Sequence, residues 1–531
     1  MKNTYTLLMG WMMLCSLQAY AQERYLSELF SEDSIIADVY YATNYSILSN
    51  QNILLDQPVL DSLHADIYMP KGDTSTARHI VLIAHGGYFL PPIVNGSPNG
   101  GKRDSSVVEI CRRLARMGYV AVSYEYRLGW NPVSPNRTIR DKTALEALYR
   151  ASQDTHALVR FLRKSVFEMG NPWSLNPTKI AVGGVEMGGY IALFNGLMDD
   201  FQKMIQNKFV DFDSIPSKHY LDTLVIGNIW GTGPQSASAN VINHPGYDSD
   251  INFLFTIGGF LLDTTWIEEN GKPIVSFQTK PRRSCVITPM IDPVILSECQ
   301  SFDSKSIIQT SRRKGNQQIL EDGTFNDVFT QSANNNNEGN EGLFLFVRPA
   351  LEPGERYDCR TPCVPLLPAT EELSPWDWWN EEDFIATWDA ATGGDPVPGA
   401  VANCSQLASN PDMSPEKGRM YVDSIIGYLA PRMNVVLQAT NTGGTTSIDN
   451  SIKETINFGA YPNPANESLF VRSSEIIRSV VIYDLAGREV RRINGLRATK
   501  TEIARENIEA GLYIIQADFD NTSVTQKVMW Q

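Results

Sequence analysis

The chain has 531 residues, 42% of them hydrophobic and 20% charged, which is enough for a large core and at least two domains. Its formal net charge of -15 argues against nucleic acid as a partner and fits an acidic, exported surface. Seven cysteines and six histidines in no zinc-type spacing give no reason to expect a metal centre or another cofactor.

In chain order, residues 1–21 come first. Lys2, an apolar run from Leu7 to Leu17, and the small residues Ala19 and Ala21 predict a secretory signal peptide cut after Ala21. The run is too short to span a bilayer, and no later stretch is long and apolar enough, so no transmembrane segment is expected. The mature chain keeps Cys111, Cys285, Cys299, Cys359, Cys363 and Cys404. Exported cysteines usually form disulfides, but the connectivity stays open. Cys111 sits on the apolar face of an expected helix and reads as a buried free thiol.

"HIVLIAHGGYF" (His79 to Phe89) predicts an apolar strand ending in a glycine turn. Val107, Val108, Cys111, Leu114 and Ala115 have helical spacing, and "YVAVSYEY" follows as a strand. Leu145, Leu148, Leu158, Val159 and Leu162 mark a second amphipathic helix. "KIAVGGVEMGGYIAL" (Lys179 to Leu193) reads as strand, glycine turn and helix, and "INFLFTIGGFLL" and "KPIVSFQTK" read as two more strands. "EKGRMYVDSIIGYLAPRM" predicts a closing helix ended by Pro431. Alternating strands and helices imply a doubly wound, mostly parallel sheet covered on both faces. Residues from about 282 to 399 are irregular and read as loop insertions over the C-terminal edge of that sheet, with Asn334 to Asn337 as a mobile loop. Residues 438–457 read as a linker. Residues 458–531 change to short alternating strands, an all-β Ig-like sandwich.

"HGGYF", "GYVAVSYEYRLG", "KIAVGGVEMGG" and "WIEENGKPIVSFQ", in that order, make residues 22–437 resemble a carboxylesterase-like α/β-hydrolase. The resemblance implies an oxyanion loop at Gly86 and Gly87, with the N–H of Met187 as a further donor, and a G-x-S-x-G nucleophile elbow between Gly184 and Gly188. The elbow residue here is Glu186. Where the family's triad acid is expected the chain has Arg282; Asp292, ten residues later, could replace it only if the loop folded back. The family order is nucleophile, acid, histidine, yet the last histidine is His244, before the acid position. His156, His219 and His244 read as structural. Three departures at three triad positions imply a degenerate site with no catalytic residues, in which Glu186 pairs with Arg282 or Arg283.

"SPWDWWNEEDF" (Ser374 to Phe384) offers Trp376, Trp378 and Trp379 as ligand-stacking candidates, against the plainer reading that they anchor an insertion to the core. Asp377, Glu381, Glu382 and Asp383 could ligate calcium, but a solvated acidic turn is the simpler account. The final domain, through "YPNPAN", "VVIYDLAGREV", "AGLYIIQA" and "QKVMWQ", closely resembles the C-terminal sorting domain of type IX secretion cargo of Bacteroidetes. That resemblance implies the type IX secretion machinery as a partner and a secreted or outer-surface location reached through the periplasm. Together these features predict an exported pseudo-hydrolase that binds or scaffolds an unknown surface protein, glycan or lipid. The alternatives are an active carboxylesterase-like hydrolase with a non-standard site and a structural surface-layer component.

Overall fold

The computed structural model describes residues 23–48, 54–211, 217–234, 237–280, 302–347, 356–358, 364–368, 372, 374–395, 397–439, 458–461, 465–484, 488–519 and 523–530. The expected signal peptide, the expected linker beyond Ala439, Arg282, Arg283, Asp292, Cys285, Cys299, Cys359 and Cys363 lie outside the described residues.

Eight strands form the main sheet: β1 (Asp33–Leu48), β2 (Leu54–Pro70), β3 (Arg78–Ala84), β4 (Val120–Tyr124), β5 (Leu175–Val185), β6 (Phe253–Ile257), β7 (Ile274–Lys280) and β8 (Leu343–Val347). Their spatial order is β1-β2-β4-β3-β5-β6-β7-β8. β1 and β2 run antiparallel, as do β2 and β4, and every pair from β4 to β8 is parallel. The runs "HIVLIA", "VAVSY" and "FLFTI" show no polar alternation because both of their faces are covered. Ile80 and Leu82 face a core shared with α2 (Arg137–Glu168) and α3 (Met187–Leu197). Val81 and Ile83 face the opposite core, with α1 (Ser105–Arg116) and α7 (Pro415–Ala439). This is an α/β-hydrolase fold, as the sequence implied.

Between β7 and α7 lie α4 (Ser304–Arg313), α5 (Glu381–Thr392) and α6 (Gly399–Ser409). This stretch, expected to be insertion throughout, also supplies β8, the eighth strand of the core sheet. "LFLFV" is too short and uniformly apolar to stand out from its polar surroundings. The asparagine run is not a loose loop: Asn337 is buried, its side chain accepts from Gly339 N at 3.0 Å, and Asn340 donates to its carbonyl at 2.7 Å. Its amides close a turn that delivers the chain to β8. Pro431 does not end the last helix either, since α7 continues to Ala439. The missing hydrogen bond costs about 3 kcal/mol. Burial of Met433, Val436 and Leu437 beyond the proline offsets it, at roughly 1.5–3 kcal/mol per side chain.

The C-terminal unit is all-β and antiparallel. Its strands are β9 (Phe458–Tyr461), β10 (Ser468–Asp484), β11 (Glu489–Ala504), β12 (Gly511–Asp518) and β13 (Ser523–Trp530), with β10 pairing β9, β11 and β12, and β13 pairing β12. Leu469, Val471, Val480, Ile482, Ile515 and Val528 fill its core. The guanidinium of Arg472 donates to the carbonyl of Phe167 at the end of α2, and Phe470 packs beside Phe167 and Tyr247.

Candidate functional site

β5 ends at Val185, the chain reverses over Glu186, and α3 begins at Met187. Glu186 has φ 53° and ψ -114°, a conformation that a residue with a side chain adopts only when its surroundings enforce it. Those surroundings are backbone. A Cβ on Gly184 would lie 2.3 Å from the carbonyl carbon of Gly188, and one on Gly188 would lie 2.0 Å from the carbonyl oxygen of Ala84. The Glu186 N–H donates to Ile257 O at 2.8 Å. The strained strand-to-helix turn of a nucleophile elbow is therefore intact, with a carboxylate in place of a hydroxyl.

The loop after β3 faces it. The virtual Cβ of Gly86 would sit 3.3 Å from the Cβ of Glu186, so the Glu186 side chain leaves the elbow directly over this loop. Gly87 has φ +98°, and a side chain there would run into Gly100 at 2.4 Å. Tyr126 fixes the loop by donating to the carbonyls of His85 and Gly86 at 2.9 and 3.0 Å, and it stacks on the His85 ring at 4.3 Å. Among the described residues no acceptor takes the N–H of Gly86, Gly87 or Met187. The oxyanion-type donors named from sequence are thus brought together around Glu186.

Arg282 would follow the end of β7 and lies outside the described residues, as does its expected pairing with Glu186. In the order nucleophile, acid, histidine, the third residue must come from beyond β7, where the next core strand is β8. No histidine occurs after His244. His156 is buried in α2, and burial, then the charges of Arg160 and Lys272, hold it well below the usual imidazole range. His244 contacts the carbonyl of Tyr41, and His219 is exposed in a short strand pair. His85 is buried, and desolvation lowers its pKa to about 4. It stays neutral with Nδ1 at 2.8 Å from Gly86 O, a loop-building role.

The Glu186 carboxylate instead accepts the hydroxyl of Ser374 at 2.8 Å. Ser374 begins a segment that crosses the elbow. Trp376, two residues on, has no exposed surface and packs in the core near Phe346. Asp377 is buried and accepts the hydroxyl of Ser106 at the start of α1. Trp378 lies across Gly418 with Arg419 over its ring at 5.5 Å, and the Trp379 indole donates to Asn403 at 2.9 Å. The three tryptophans thus sit as anchors of the segment. Of the acidic residues beside them, Asp377 points inward while Glu381, Glu382 and Asp383 form the first turn of α5, where the helix dipole favours them. Ser374 and Ser106 were not singled out in the sequence, since no motif marks a serine that meets the elbow only through the folded chain.

Residues 459–531 match the secretion system C-terminal sorting domain, and residues 65–233 match BD-FAE, an esterase-like domain. No curated protein matches the chain. Among solved structures, esterase 2 of Thermogutta terrifontis phosphoramylated by tabun is 13% identical, with 54% of this chain and 81% of that one covered and a TM-score of 0.29. A truncated carbohydrate esterase from gut microbiota is 12% identical over 50% of this chain and 83% of that one, with a TM-score of 0.27. Likenesses this distant carry no argument about activity. The sorting domain marks the chain as exported to the cell surface or medium. Among the described residues no helix is long and apolar enough to cross a membrane.

Proposed function

Taking an esterase-like α/β-hydrolase domain joined to a secretion sorting domain as its premise, we propose that this is an exported pseudo-hydrolase that acts as a binding or scaffold component at the cell surface. One observation carries the reading: the elbow holds a glutamate whose carboxylate accepts a hydrogen bond from Ser374, in a chain with no histidine beyond His244. A serine-type acyl transfer needs a nucleophile, a proton acceptor and an acid that orients it. A glutamate nucleophile would still need a base to activate water for release of its ester. The occupant is an unknown surface protein, glycan or lipid.

The experiment is turnover of short-chain activated esters by the full chain. The expected rate equals that of a heat-killed control, and Glu186→Ser alone does not raise it. Saturable hydrolysis abolished by changing Glu186 would overturn the reading. Deleting residues 461–531 is expected to trap the protein in the periplasm, and normal surface delivery of the truncated chain would refute the role of the tail.

A second reading, an esterase with a rebuilt site, is favoured by the same contact. Ser374 would be the nucleophile, Glu186 its proton acceptor, and Gly86, Gly87 and Met187 the oxyanion donors. Turnover lost in both Ser374→Ala and Glu186→Gln would select this reading, and turnover kept in either would reject it.

A further inference from the structure

Three carboxyl groups lie close enough around the elbow to feel one another's charge. Glu186 comes from the elbow. Asp104 precedes α1, and its carboxyl accepts the N–H groups of Gly100 at 2.9 Å and Gly101 at 3.1 Å. Asp377 enters from the segment Ser374–Asn380 and takes the hydroxyl of Ser106. Among the described residues no cation pairs with Asp377 or Asp104. Lys417, at the start of α7, is engaged with Glu372 and, at 2.9 Å, with Asn410 Oδ1.

The segment is held by its three tryptophans and by a few polar contacts. Ser374 donates to Glu186 at 2.8 Å, and Asn410 donates to the carbonyls of Ser374 and Asp377 at 3.1 and 2.8 Å. Trp376 plugs the core, but its buried indole N–H finds no acceptor among the described residues, which opposes closure.

We propose that Ser374–Asn380 is a proton-controlled strap over the elbow, closed while Asp377 carries its proton and released when Asp377 ionises beside Glu186 and Asp104. The fold gives the direction. Burial, and then the charge of Glu186, push Asp377 up to about 7 against the opposing Ser106 hydrogen bond. Burial and the neighbouring Asp377 push Asp104 well above the usual carboxylate range. In the open strap Asp377 is solvated and titrates near about 4. Between about pH 4 and pH 7 the closed form therefore holds a proton that the open form has lost, and the ratio of open to closed rises roughly tenfold per pH unit. Release breaks the Ser374–Glu186 hydrogen bond, so the elbow is freed near neutrality and held in acid. This holds whether or not the elbow turns over esters.

The test is amide hydrogen exchange of the full chain between pH 5 and pH 8, corrected for intrinsic rates and read at peptide level. The expected result is a protection factor in Ser374–Asn380 that falls about tenfold per unit up to about pH 7 and then levels, while β4 stays flat. Asp377→Asn keeps the strap protected across the range. Ser106→Ala, which removes a donor to the ionised form, moves the levelling point to higher pH. Strap protection that does not change with pH in the unaltered chain, or a slope that survives in Asp377→Asn, would overturn the proposal. Should the asparagine variant not fold, the unaltered chain and Ser106→Ala decide it alone.

Discussion

The elbow and the strap that crosses it are held by different kinds of contact. At the elbow, Gly184, Gly188 and Ala84 meet backbone to backbone, and the strained angles of Glu186 follow from that packing whatever side chain it carries. The strap is held by its tryptophans and by the side-chain hydrogen bonds of Ser374 and Asp377, and the strength of those two bonds depends on charge and protonation. The difference shows how the turn can keep its shape whatever side chain stands at its tip. The turn belongs to the fold, and only the atoms at its tip belong to the chemistry.

The largest effect that would sharpen this contrast is on pH-dependent stability. Asp377 holds its proton in the fold up to about pH 7 but loses it near about pH 4 when unfolded. Its contribution, up to about 4 kcal/mol, is fully present below about pH 4 and lost as pH rises to about 7. Buried His79 and His85, lowered to about 3 and about 4, act in the opposite sense, losing stability as pH falls below about 6.5. The measurement is therefore a difference: unfolding free energy of the unaltered chain minus that of Asp377→Asn, by urea titration at pH 5 and pH 8. The difference should fall by a few kcal/mol across that range; a constant difference would contradict the electrostatic account of the strap.

Next in size is the elbow itself. Gly188→Ala places a methyl 2.0 Å from the Ala84 carbonyl oxygen, which cannot move without shifting β3. A loss of about 3 kcal/mol or more is expected, with no dependence on pH. A near-neutral result would mean that the turn is looser than its backbone contacts indicate.

Ser374→Ala should cost less, about 1.5–3 kcal/mol, because it removes one hydrogen bond to a charged group that solvent partly reaches. Glu186→Gln keeps the shape and an acceptor, so the expected change is smaller still, within about 1 kcal/mol, checked by thermal unfolding at a fixed pH.

The two regions also differ in how far they could be read from the sequence. The elbow was legible because glycine spacing, an apolar strand before it and an apolar helix after it are all local. The glycine turn after β3 was legible for the same reason, and so was the sorting tail. The strap was not. "SPWDWWNEEDF" announced tryptophans and acids, but nothing in it tells that Asp377 turns inward to Ser106, 271 positions away in the chain. β8 was missed because five apolar residues in a polar stretch carry no period. Pro431 marks a helix end only by the local rule, and tertiary burial beyond it carries the helix on to Ala439. The absence of a late histidine needed no structure, but β8 now shows which core strand precedes the segment that lacks it.

The most direct test of the central claim is exposure of the full chain to a fluorophosphonate, which phosphonylates activated hydroxyls with loss of fluoride, followed by peptide mass mapping at pH 5 and pH 8. An elbow that carries Glu186 and a Ser374 that serves as a tether predict no adduct on Ser374 at either pH, with or without the strap released. A stoichiometric adduct on Ser374, lost in Glu186→Gln, would contradict the account and establish a working nucleophile in its place.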